Sequence, residues 1–234
     1  MISSEQRNKL VENNQKISQL LEENENILRE CGYSPPVQNF ALDAKEKIKF
    51  PSRYIRTVAS FDKKYHLQEI FPDREVRHNV IYTLEVSDLI NYLFNRIHIW
   101  GPVSTILYKL AIVNLVSVIE AIVLEAANNI CNHACCCGKV KTCKNHFSKE
   151  QRNNARKALE KLVAMKVIDF DDDKLSRLQE IIDLRSRIHI RLTTGNELKL
   201  ADFNLELYNE VIAFLQIIDD QVYQNAVPIY CRNP

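Results

Sequence analysis

The stretch LAIVNLVSVIEAIVLEAA, residues 110–127, decides the fold. It is apolar on nearly every side of a helix, which is typical of the central helix of a bundle. Asn114, Glu120 and Glu125 interrupt the stretch, so it falls short of the ~20 clean apolar residues that a membrane span needs. We therefore predict a buried helix over residues 103–130 and no membrane association.

The sequence on both sides of this stretch also favours helices. Only 4 Gly and 7 Pro occur among 234 residues, against long runs of good helix formers. Apolar spacing predicts a helix over residues 74–100 and another over 203–224, and an acid-rich start predicts a third that runs to Leu192. Ser148 and Gln151 have the spacing of a capping box at the start of one more helix.

The N-terminal part differs from the rest in composition. Residues 4–30 are charged and amide-rich with a thin apolar stripe near heptad spacing, which predicts a solvated amphipathic helix that ends before Gly32. We divide the chain into an N-terminal helix with a connecting region, residues 1–73, and a helical bundle, residues 74–234. The predicted fold class is all-α, a helical bundle with an N-terminal amphipathic helical extension.

Net charge and the N-terminus limit the function and the compartment. The formal charge of +1 gives no overall attraction to polyanions, so a nucleic-acid site would need a local basic patch. The first residues contain no apolar segment of the kind found in secretory signals. We therefore expect a cytoplasmic protein with reduced thiols.

A charged pair continues the apolar seam of the helix that runs to Leu192. Steps of three and four residues lead from Leu178 and Ile182 to Arg185 and His189, within LRSRIHIRL, residues 184–192. Burial of an arginine without a partner costs several kcal/mol, so a carboxylate, a subunit interface or a ligand phosphate must compensate. The structural alternative is an arginine paired with an acid and a histidine hydrogen-bonded in the core.

Polar residues near this pair are candidates to act with it. Arg187 and Arg191 flank the seam as a pair suited to contact phosphate, and the central helix carries a narrow polar stripe of Asn114, Ser117 and Glu120. Glu120 would either orient the seam arginine or neutralise its buried charge. Both alternatives stay open from the sequence.

The segment LRSRIHIR resembles the R-x-x-x-H variant of the signature of the HEPN family (higher eukaryotes and prokaryotes nucleotide-binding domain). The order of elements over residues 103–224 is also similar to that family: an apolar helix with an internal glutamate, a loop, a charged helix, the motif helix and a closing helix. Ser186 stands where members more often have Asn or Asp. Ile190 stands where the longer form of the motif has its histidine.

The resemblance implies a metal-independent endoribonuclease that works as a homodimer without a cofactor. Arg185, His189 and Glu120 would form the catalytic site, and Arg187, Arg191, Asn114 and Ser117 would contact RNA. Such a protein would be a toxin or a phage-defence effector that an inhibitory protein partner keeps inactive. The alternatives are a catalytically inert HEPN-type module that binds a nucleotide or a protein, favoured by Ser186 and the short motif, and a helical scaffold protein.

A cysteine-rich loop over residues 131–147 is a candidate zinc site. Cys143 and His146 have the C-x-x-H spacing that lets two side chains reach one ion, and Cys135 and Cys137 would complete a tetrahedral set. Such a zinc ion would be structural. The alternative is a cluster of reduced thiols, because three consecutive cysteines cannot all bind one metal.

Overall fold

The computed structural model describes residues 2–32, 45, 47–50, 54–134, 143, 145–186 and 203–231. These residues form helices and turns and contain no strand, so the all-α prediction is confirmed. The chain divides into two compact units, residues 1–50 and 51–234. The predicted division after residue 73 stays a prediction.

The first unit contains a single long helix, α1, over Ser4–Glu30, as its sequence predicts. A capping box starts it: the Ser3 side chain accepts a hydrogen bond from the backbone of Gln6, whose side chain accepts one from the backbone of Ser3. Lys16 and Glu12 form an exposed ion pair one turn apart. Within the part of the chain that the structure describes, no residue of α1 is buried.

The second unit is a helical bundle that contains both short and long helices. Its helices are α2 (Val58–Lys64), α3 (Leu67–Ile70), α4 (Arg74–Arg96), α5 (Gly101–Ala134), α6 (Lys149–Asn153), α7 (Ala155–Ala164), α8 (Asp172–Ser186), α9 (Leu205–Gln221) and α10 (Val227–Cys231). A π-helical turn over Val222–Ala226 joins α9 to α10.

Helix α5 lies at the centre of the bundle and packs against α4, α7, α8 and α9. Ile112, Ile119 and Ile122 are almost wholly buried in its core. By length and composition the segment Gly101–His133 could also cross a membrane, but 56% of its most apolar window is buried against the other helices. More than half of this apolar window is therefore packed inside the bundle, in the way that a central bundle helix is packed.

Local sequence signals set several helix boundaries. The capping box at Ser148 is confirmed, since its side chain accepts from the Gln151 backbone at 3.2 Å and its backbone donates to the Gln151 side chain at 2.9 Å. The predicted end of α4 near residue 100 is wrong, because the backbone is already extended at Ile97. Gly101, with φ of +49°, begins α5 instead of closing α4.

Candidate functional site

A cavity of about 410 Å³ lies where α5, α7 and α8 meet. Glu120 of α5 is in its wall and is half-buried. The end of α6, the start of α7 and the last part of α8 supply the other lining residues, which are Asn153, Asn154, Ala155, Arg156, Ile182 and Asp183. We call this the Glu120 cavity.

Charged and amide side chains surround the Glu120 cavity. Arg156 Nη1 donates to Asp183 Oδ2 at 3.0 Å, which ties α7 to α8. Glu160, one turn after Arg156, accepts a 2.8 Å hydrogen bond from the side chain of Gln179. The wall thus combines one guanidinium with two carboxylates, those of Glu120 and Asp183.

The predicted catalytic arginine lies on the helix that forms one side of this cavity. The backbone of Arg185 is in the last turn of α8, three residues after Ile182 of the cavity wall. The structure therefore brings Glu120 and the backbone position of Arg185 to the same region of the bundle. His189, Arg187 and Arg191 lie outside the described residues.

The two other predicted RNA-contacting residues, Asn114 and Ser117, precede Glu120 on α5. Both are half-buried, and the Ser117 hydroxyl donates to the backbone oxygen of Val113 at 2.7 Å. Of the three residues in the predicted polar stripe, Glu120 is the one in the cavity wall.

The predicted zinc ligands fall only partly within the described residues. Cys135 and Cys137 lie outside them, whereas Cys143 is half-buried and His146 is exposed. The His146 backbone donates to the Cys143 backbone oxygen at 3.0 Å, so the two residues belong to one tight turn. A structural zinc ion held by these four residues stays a prediction.

The structure also describes the surroundings of His98 and Tyr208. The sequence RIHI occurs twice, at residues 96–99 and 187–190, and His98 of the first copy is exposed in the connection between α4 and α5. Tyr208 of α9 is buried against the rings of Phe94 and Tyr108, and burial raises the pKa of its hydroxyl to about 12. Tyr208 is thus a core residue.

A cluster of His66, Asp219 and Asp220 was not predicted from the sequence. The Nδ1 atom of His66 lies 3.0 Å from Oδ2 of Asp219, although 153 positions separate them in the chain. The contact between Arg156 and Asp183 was not predicted either, because they lie on different helices and become neighbours only through the packing of α7 against α8. No local spacing connects the members of either group.

No known family model matches the chain. Neither a curated protein nor a solved structure shows significant similarity to it.

Proposed function

We propose that this protein is a HEPN-like, metal-independent endoribonuclease that acts as a homodimer in the cytoplasm. The observation that supports the proposal is the position of Glu120 in a cavity beside the end of α8, the helix whose last turn carries Arg185. A carboxylate at that place suits a helix that presents a cationic catalytic group, because it offers the arginine a partner across the bundle.

The proposed reaction is cleavage of the RNA backbone by its own 2′-hydroxyl. His189 accepts the proton of that hydroxyl as general base, or donates a proton to the leaving 5′ oxygen as general acid, since an imidazole titrates near neutral pH. The 2′ oxygen then bonds to phosphorus, and the bond from phosphorus to the 5′ oxygen breaks as that oxygen takes up a proton. Arg185 holds the phosphate and stabilises its developing charge, and the products are a 2′,3′-cyclic phosphate and a 5′-hydroxyl.

In this proposal the surrounding residues position the catalytic pair and the substrate. Glu120 orients Arg185 or neutralises its charge. Arg187 and Arg191 contact neighbouring phosphates, together with Asn114 and Ser117 of α5. A toxin or defence effector with this activity would need an inhibitory protein partner, because uncontrolled RNA cleavage would harm the cell that makes it.

One observation favours an alternative, a catalytically inert module that binds a nucleotide or a protein. The described wall of the Glu120 cavity holds two carboxylates and one guanidinium, and Asp183 already pairs with that guanidinium. Carboxylates repel phosphate, so this arrangement disfavours RNA, and within the alternative it favours a neutral or cationic protein surface over a nucleotide. A third candidate function, a helical scaffold, would use neither the carboxylates nor the guanidinium of this cavity for binding.

The experiment that tests the proposal measures RNA cleavage by the purified full chain with EDTA present. We expect the wild type to cut, and His189→Ala and Arg185→Ala to lose at least about 100-fold in rate. His98→Ala is the matched control, since it changes the histidine of the other RIHI segment at an exposed position. Its rate should equal that of the wild type.

A second comparison, between the cleavage rates of Glu120→Gln and Arg185→Ala, tests the role of Glu120. Glu120→Gln should slow cleavage less than Arg185→Ala if Glu120 orients the arginine, because the amide keeps the shape and a hydrogen-bonding oxygen. It should slow cleavage as much as Arg185→Ala if Glu120 neutralises the charge, because the amide is neutral. The nuclease proposal fails if folded wild type leaves a broad pool of RNAs intact. It also fails if His98→Ala slows cleavage as much as His189→Ala does.

A further inference from the structure

The His66, Asp219 and Asp220 cluster joins the segment before α3 to the end of α9. His66 directly precedes α3 and has a φ of +44°, and its Nδ1 lies 3.0 Å from Asp219 Oδ2. The ring of Tyr223, in the π-helical turn after α9, stacks on the imidazole with centroids 3.9 Å apart and planes 11° from parallel. These contacts hold the imidazole in one orientation against α9.

One of the two oxygen atoms of the Asp219 carboxylate has no hydrogen-bond partner among the described residues. The Asp219 side chain is 1% exposed, and the oxygen without a donor is Oδ1. A buried carboxylate oxygen without a donor or a cation is strongly disfavoured. Burial also raises the pKa of this carboxyl, against the opposing effect of the His66 hydrogen bond.

We propose that His66, Asp219 and Asp220 bind a first-row divalent metal ion of the class of Mn²⁺ or Zn²⁺. Each of the three residues offers one ligand atom, and these atoms lie within 4.8 Å of one another. Ligand atoms around a bound zinc ion are separated by about 3.3 Å, since each metal–ligand bond is near 2 Å. Small side-chain rotations toward a central ion would close the remaining gap.

The donor set determines the kind of ion. One imidazole nitrogen with carboxylate oxygens suits borderline first-row ions, whereas Ca²⁺ and Mg²⁺ favour sites made of oxygen alone. Two carboxylates balance the charge of a dication, and the ion supplies a partner for the Oδ1 atom of Asp219, which has no hydrogen-bond donor among the described residues. Solvent would complete the coordination on the side of Asp220, which is only partly buried.

A metal ion at this position would have a structural effect. It would crosslink two segments 153 positions apart in the chain, next to a fully buried pair of α3 residues, Leu67 and Ile70. Binding to the folded chain alone raises its stability by mass action. The site is separate from the four residues of the predicted zinc set and from the metal-independent chemistry proposed above.

The test is a titration of the full chain with Mn²⁺, after the protein has been stripped with EDTA and dialysed. Mn²⁺ is chosen because it binds imidazole and carboxylate better than thiolate, so the cysteine-rich loop interferes little. The electron paramagnetic resonance signal of free Mn²⁺ reports binding directly. We expect one saturable site per chain and a rise in melting temperature on saturation.

Two variants and one control define the ligands. The first variant, His66→Asn, places a residue that tolerates positive φ at this position. The second variant, Asp220→Asn, changes only the partly buried carboxylate, so this variant should fold even if His66→Asn does not. Each should weaken Mn²⁺ binding at least about tenfold. Glu206→Gln, an exposed substitution at the other end of α9, should leave binding unchanged.

Three outcomes would overturn the proposal. The first is wild type that shows no saturable binding of Mn²⁺ or Zn²⁺. The second is a folded Asp220→Asn variant that binds Mn²⁺ as tightly as wild type. The third is loss of Mn²⁺ binding on Cys143→Ser, which would place the ion in the cysteine-rich loop.

Discussion

Helices α1 and α5 are both long, yet they are stabilised in different ways. No residue of α1 is buried among the described parts of the chain, and six of its seven Leu, Ile and Val side chains are exposed by 44% or more. Helix α5 carries most of its apolar side chains into the core, with Ile119, Ile122 and Ile130 fully buried. An exposed helix depends on its cap, its propensities and its local pairs, whereas a central helix depends on its neighbours.

Helix formation and bundle stability are therefore separate properties of this chain. Substitutions on α1 should change local helix content and leave the unfolding of the bundle nearly unchanged. Substitutions on α5 should destabilise the whole bundle, because every helix packed against it loses contacts.

The largest expected difference comes from one leucine on each helix. Leu115→Ala on α5, where the side chain is 3% exposed, should lower the free energy of unfolding of the bundle by about 2–5 kcal/mol. Leu20→Ala on α1, where it is 59% exposed, should change it by less than about 0.5 kcal/mol. Urea denaturation followed by circular dichroism measures both.

The matched pair also tests whether α1 binds a second copy. If Leu20→Ala destabilises the protein as much as Leu115→Ala does, and more so at low protein concentration, α1 is covered in solution. The stated contrast between the two helices would then be wrong.

The next largest expected difference is between an ion pair of the bundle and an ion pair of α1. In the bundle, Arg56 donates from its backbone and its guanidinium to Asp88, with the shortest contact 2.7 Å, and this hydrogen bonding raises the pKa of Arg56. Asp88→Asn should cost about 1–3 kcal/mol, since it replaces the buried charged acceptor of several donors with a neutral amide that has one acceptor oxygen. Glu12→Gln breaks an exposed pair with Lys16 on α1 and should cost less than about 1 kcal/mol.

Measurement of both variants in low and in high salt sharpens this prediction. The effect of Glu12→Gln should shrink as salt screens the exposed pair, and the effect of Asp88→Asn should persist. Equal costs for the two variants would show that burial does not strengthen the Arg56 pair.

The smallest expected effect is a pH dependence of the free energy of unfolding that comes from Glu125 of α5. Burial raises the pKa of the Glu125 carboxyl above its ordinary value of 4.5, against a weaker opposing hydrogen bond from Asn129. The folded state then favours the protonated form. Its contribution to stability is complete below pH 4.5 and is lost as the pH rises through the higher pKa of the folded state.

Glu125→Gln should remove this dependence. The stability of the variant relative to wild type should therefore increase as the pH is raised from about 4 to 7, which urea denaturation at several pH values measures. A difference that stays constant over this range, or that changes in the other direction, would contradict the assignment.

Local patterns in the sequence predicted much of the fold. The bounds of α1 and the Ser148 capping box follow from neighbouring residues, and the central place of α5 follows from its nearly continuous apolar surface. The connection between α4 and α5 was misplaced, because Gly101 and Pro102 can end one helix or begin the next. Pro is accepted in the first turn of a helix, which is where Pro102 lies.

The candidate site was predictable only in part. The polar stripe on α5 pointed to Glu120 because residues three apart on a helix share a face. Nothing in the sequence pointed to Arg156 or Asp183 as neighbours, since each is an ordinary charged residue on an amphipathic helix. The His66 and Asp219 pair was equally hidden, because no short-range spacing connects positions 153 apart.

By itself, the sequence determined that this protein is all-α, which segments become its main helices and which of them is central. These properties depend on capping residues and on helical periodicity, both of which act over a few neighbouring positions. Only the tertiary structure decided that Glu120 lies in a cavity with Arg156 and Asp183, and that His66 contacts Asp219. Which side chains meet across helices depends on how whole helices pack, and that is a property of the complete bundle.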